Sequence, residues 1–89
     1  MSSSQVMYTL YDSKAEFYSA PFFAPNEQVA TRDFHKLIHV TGAISPAYAG
    51  DFTLFEVGSF NSDSGMFESL EHPRQVVQGS FLKDHTYES

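Results

Sequence analysis

The chain has 89 residues, with nine Phe, five Tyr and no Cys or Trp, and its eleven acidic side chains outnumber five Lys and Arg to leave a net charge of −6. That length suits one compact domain and is too short for two. The missing cysteines exclude a disulfide framework and any thiolate metal site. No apolar run approaches the roughly 18–20 residues of a membrane span. The leader Met1-Ser2-Ser3-Ser4-Gln5 has neither the basic nor the apolar part of a signal peptide, so a cytoplasmic protein without membrane contact is expected.

Residues 1–5 and 85–89 are polar and are expected to be unstructured tails around a single domain at 6–84. The first strand is expected over Val6–Tyr11, where Tyr, Thr and Leu alternate with a rough period of two. Asp12-Ser13-Lys14 supplies turn residues, and Glu16–Ser19 returns as the second strand of a hairpin. Pro21 and Pro25 bracket Phe22-Phe23-Ala24 and either end the sheet or leave this stretch as an edge, because proline cannot donate to a ladder.

A helix follows. Asn26 is a good N-cap, Glu27 favours the positive helix end, and Ala30, Phe34, Leu37 and Ile38 fall on one stripe. Gly42 marks the stop, so the helix is expected from Glu27 to Val40. Residues 41–50 read as a loop. Phe52–Ser59 is the strongest strand, and its apolar character on both faces predicts a central position. A five-residue turn at Asn61–Gly65 leads into a returning strand, Met66–Leu70, which Pro73 is expected to break. Val76-Val77 and Phe81-Leu82 form a short last element or pack back as extended chain. The order is ββαββ: an α+β fold with an antiparallel sheet of about four strands and one covering helix. Such a sheet has open edges, which makes a homo-oligomer plausible.

Few residues carry the signature of chemistry. His35 and His39 stand at i and i+4, a spacing that can hold a metal, but no carboxylate completes a zinc-hydrolase motif and a solvated helix flank is the simpler reading. There is no nucleophile elbow and no glycine-rich phosphate loop, and the carboxylates are scattered. Neither an enzyme nor a bound cofactor or metal is expected. The negative charge opposes phosphate binding, so contact with nucleic acid would need a local aromatic or basic surface. Tyr8, Tyr11, Tyr18 and Phe22 are candidate stacking rings, and Lys14, Arg32 and Lys36 candidate phosphate contacts. A domain this small also needs its aromatics as core, and Arg32 could instead pair with Asp12 or Glu16.

One run has a further significance. Tyr11-Asp12-Ser13-Lys14-Ala15, Phe17-Tyr18 and Pro21-Phe22 are followed by Ala30-Thr31-Arg32-Asp33-Phe34, then Asp51-Phe52-Thr53-Leu54, Gly58-Ser59-Phe60, Gly65 and Pro73. Over residues 8–77 this resembles the small nonstructural proteins of gokushoviruses, tailless single-stranded DNA phages of the Microviridae. Phe52 stands where that pattern has Tyr, and Asn61 where it has Asp. The resemblance implies a nonstructural phage protein in the infected bacterial cytoplasm, associated with single-stranded genome synthesis or packaging.

Two mechanisms fit that setting. One is weak, sequence-independent binding of single-stranded DNA, with Tyr11, Lys14, Tyr18, Arg32 and Lys36 as the site. The other is an oligomeric protein-interaction module that recruits the replication initiator, a procapsid subunit or a host factor and touches no DNA. The first predicts cations gathered on one face and salt-sensitive binding. The second predicts an exposed apolar patch or an open strand edge.

Overall fold

The structure, a computed structural model, describes residues 4–82. Strand β1 (Ser4–Asp12) runs antiparallel to both β4 (Phe52–Asn61) and two short strands, β2 (Phe17–Tyr18) and β3 (Phe22–Ala24). Helix α1 (Glu27–His39) follows β3, and a 3₁₀ segment (Pro46–Asp51) leads into β4. Strand β5 (Met66–Gln78) pairs antiparallel with β4, and a single helical turn, α2 (Gly79–Leu82), closes the described chain. The sheet order is β2-β1-β4-β5, with β3 also on β1. β4 is therefore central, as its two-sided apolar character predicts.

Period-two alternation sorts β1 into two faces. Tyr8 and Leu10 point toward α1 and pack with Ala24, Ala30, Phe34, Ile38, Leu54 and Leu82 in the core. The expected helical stripe is there: Ala30, Phe34 and Ile38 are buried and Leu37 is half-buried. Asn26 caps the helix, its side chain accepting from the Val29 amide at 2.9 Å. Arg74 on β5 donates to Glu56 on β4 and to Glu27 in the first helical turn, joining the helix start to the sheet. The principal extents of 41 × 30 × 18 Å fit one helical layer on one sheet layer, with no third layer.

Two details depart from the sequence expectation, and two decide between alternatives it left open. Phe22–Ala24 joins the sheet at its edge, against Val6–Tyr8, which brings the expected sheet of about four strands to five. β1 starts at Ser4, within the stretch expected to be a tail, since Ser4 and Gln5 find ladder partners in Asn61 and Phe60. β5 does not break at Pro73. It is an edge strand, and residues 70–73 bulge opposite Val57 between the pairs Gly58↔Ser69 and Glu56↔Arg74, so the prolyl nitrogen owes no ladder bond. Phe81 and Leu82 belong to α2, where Leu82 is fully buried and its carbonyl oxygen lies 2.9 Å from His39 Nε2. The expected tail at 85–89 lies outside the described residues.

The outer edge of β1 is shared: β2 pairs with Tyr11–Asp12, and β3 with Val6–Tyr8. Ser19 bridges the gap between them. Its amide donates to the Leu10 carbonyl at 2.8 Å, its hydroxyl accepts from the Leu10 amide at 3.1 Å, and its carbonyl accepts from Thr9 Oγ1 at 2.7 Å.

Candidate functional site: the open face of the sheet

Among the described residues no helix covers the second face of the sheet. β1 presents Gln5, Met7, Thr9 and Tyr11 there by alternation, and their ladder partners extend the surface across the sheet. Two aromatic groups stand on it. At one end Tyr11 and Tyr18 are directly paired across β1 and β2 with ring centroids 4.7 Å apart, and Phe55 meets them edge-on at 6.5 and 5.8 Å. At the other end Phe60 lies 5.0 Å from its ladder partner Phe67 and 6.1 Å from Phe23. These separations are those of favourable tilted and edge-to-face ring pairs.

The rings are only partly satisfied by one another. Tyr18 is 47% exposed, Phe23 44% and Phe67 61%. Phe23, Phe60, Phe67 and Gln5 line a hollow of about 320 Å³ at one end. A second hollow of about 240 Å³, lined by Thr9, Tyr18, Pro21, Val57 and Pro73, lies in the middle. No charged side chain lines either. Burying so many rings on both sides of one small sheet leaves half of them without a layer to pack on. An apolar surface of this extent is characteristic of an interaction site.

The five residues proposed from sequence as a DNA site are divided by this geometry. Tyr11 and Tyr18 are brought together on the open face. Lys14 stands in the turn between β1 and β2, where the Asp12 carboxylate accepts from its amide, and with Asp12, Asp51 and Tyr48 it lines a separate surface hollow. Arg32 and Lys36 ride on α1, on the other side of the sheet. Arg32 Nε is buried and has no hydrogen-bond partner among the described residues, so neither Asp12 nor Glu16 holds it there. Tyr8 and Phe22, the other candidate rings, lie 6.0 Å apart on the helix side. There Tyr8 is almost wholly buried, and burial, then the charges of Glu56 and Glu27, push its phenol above the usual value.

Arg74 is raised above its ordinary value first by its hydrogen bond to Glu56. Its charge is thus engaged on the helix side. His35 and His39 stack at 4.5 Å, and no cluster of three metal-ligating side chains occurs among the described residues. No helix among these residues is long and apolar enough to cross a membrane.

The rings of this face that the sequence reading did not single out for a binding role are Phe55, Phe60 and Phe67. The signal was present: Phe60 and Phe67 flank the Asn61–Gly65 turn at positions a hairpin sets opposite one another.

Neither a curated protein nor a solved structure matches the chain. Residues 5–82 match the family described as Phage ORF5 protein, which spans every described element except the first residue of β1 and leaves little of the chain outside it. The chain belongs to that phage protein family.

Proposed function

We propose that this phage protein is a non-enzymatic interaction module and that the open sheet face is the surface through which it docks on protein. One observation carries the reading: the open face carries two groups of partly exposed rings, and the described residues lining its two hollows include no Asp, Glu, Lys or Arg. Stacking on single-stranded DNA needs rings, but affinity needs cations to neutralise phosphates. Here Arg32 and Lys36 stand behind the sheet, and Arg74 is held by two carboxylates. The gokushovirus-like run supports a setting in single-stranded genome synthesis or packaging, where an oligomeric adaptor would bring together initiator, procapsid or host components.

A second reading keeps direct contact with single-stranded DNA, because Tyr18 is half-exposed beside Tyr11 at the end of the sheet where Lys14 also stands. A labelled oligonucleotide titrated with the full chain at low and moderate salt, read by fluorescence anisotropy, separates the two. The docking reading expects no saturable binding. Salt-sensitive binding that is lost in Tyr18→Ala and in Lys14→Ala would overturn it in favour of DNA.

A further inference from the structure

Resting on the docking reading, we infer that the protein seated on the open face is a second copy of this chain, packed face to face about a two-fold axis through the middle of the sheet. Two features point to a like partner. The first is charge. With a net charge of −6, two copies repel one another at long range, yet the described residues lining the two hollows of the face include no ionisable acid or base other than the Tyr18 phenol. Two such faces meet without setting like charges against each other or burying an unpaired ion.

The second is shape. The face carries a partly exposed ring at one end and an apolar hollow at the other. Tyr18 stands half-exposed beside Tyr11 and Phe55, while Phe23, Phe60 and Phe67 surround an apolar hollow of about 320 Å³. The polar side chain on that hollow is Gln5, whose amide can donate to or accept from a phenol hydroxyl. A two-fold axis near Met7 and Thr9 sets Tyr18 of each copy over the hollow of the other, which is the self-complementary condition for an isologous dimer.

The size is adequate. Three long strands about 4.8 Å apart and roughly 30 Å long, with the edge row shared by the short β2 and β3, present on the order of 500 Å² in projection. With the relief of its half-exposed rings, that approaches the roughly 800 Å² per partner of a standard interface.

The test is sedimentation velocity of the full chain over a range of concentrations, with Phe67→Glu, Tyr18→Arg and an equimolar mixture of the two. Both positions are exposed, and far-ultraviolet circular dichroism checks that both variants fold. The wild type is expected to dimerise, as tightly or more tightly when salt screens the mutual repulsion. Each variant alone is expected to dimerise about ten- to a hundredfold more weakly, the usual cost of losing a central aromatic anchor.

The mixture is the sharper test of register. In the two-fold arrangement, Glu at 67 of one copy faces Arg at 18 of the other, while the second contact is the wild-type pair, so a heterodimer forms. A wild type that stays monomeric, variants that dimerise like wild type, or a mixture that does not recover each overturns the inference. If the wild type is monomeric, co-purification with the phage's co-expressed initiator and procapsid subunits decides the underlying reading. Capture lost in Phe67→Glu keeps the docking surface with a different partner; capture unchanged in Phe67→Glu removes the surface as well.

Discussion

Gly58 lies in the middle of the central strand, beside the bulge and between the two aromatic groups, and any side chain there collides with the neighbouring strand. A Cβ at this position would overlap the Glu68 carbonyl oxygen and stand 3.1 Å from Ser69 Cα and 3.2 Å from the Glu68 carbonyl carbon. All three atoms are backbone, so relief requires β5 to move away from β4 and no rotamer change suffices. Overpacking of this kind costs about 1–3 kcal/mol. At roughly 4–8 °C per kcal/mol for a domain of this size, a 2 kcal/mol loss lowers the melting temperature by about 8–16 °C.

Because the same strands carry Phe60 and Phe67, Gly58→Ala should also disturb the hollow they line and weaken self-association. Thermal unfolding followed by circular dichroism measures the first effect and sedimentation velocity the second. Gly50→Ala is the control, since its Cβ would meet only Ser80 Cβ at an ordinary 3.7 Å. A Gly58→Ala protein that melts with the wild type and with Gly50→Ala would refute the close approach of β4 and β5.

Three further outcomes are expected. Ser19→Ala removes the hydroxyl that accepts from the Leu10 amide and should lower stability in urea by about 1–3 kcal/mol, whereas Ser19→Thr, which keeps a hydroxyl, should lose less. Asn26→Ala should cost about 0.5–2 kcal/mol through loss of the helix cap, seen as a lower urea midpoint with an unchanged slope. Tyr8 gives a pH dependence whose sign is fixed. Its phenol is raised above 10.0 in the folded chain, so below that pH both states are neutral and its contribution is complete. Above it the unfolded chain ionises first and stability falls. Urea midpoints should therefore drop on the alkaline side, and Tyr8→Phe should make that drop shallower.

Much of the fold is legible in the residues because local signals and the global arrangement agree. Asn26 caps, Ala30, Phe34 and Ile38 share a stripe, and β4 lies between β1 and β5 with Leu54 in the core and Phe55 among the rings of the open face. Pro73 misleads because a proline that would end a central strand is tolerated at an edge bulge, and edge position is a tertiary fact. The candidate site was half legible. Tyr8 and Tyr11 are an odd number of residues apart, so on an extended strand they cannot share a face, and alternation alone separates the core ring from the open one. Arg32 and Lys36 were grouped with Tyr11 and Tyr18 by nearness in sequence. The helix carries them over the far side of the sheet, a displacement that no local pattern records.

The edge strand has a consequence for stoichiometry. Among the described residues no strand pairs with the outer side of β5 along its thirteen residues, a length over which identical chains could add to one another without limit. The bulge at residues 70–73 and the proline within it interrupt the ladder midway, so a strand arriving at that edge finds two short, misaligned segments instead of one template. Growth by edge addition stops there, while the pairing proposed through the open face would use that face up in a single step. That edge of the sheet therefore resists open-ended addition of further strands.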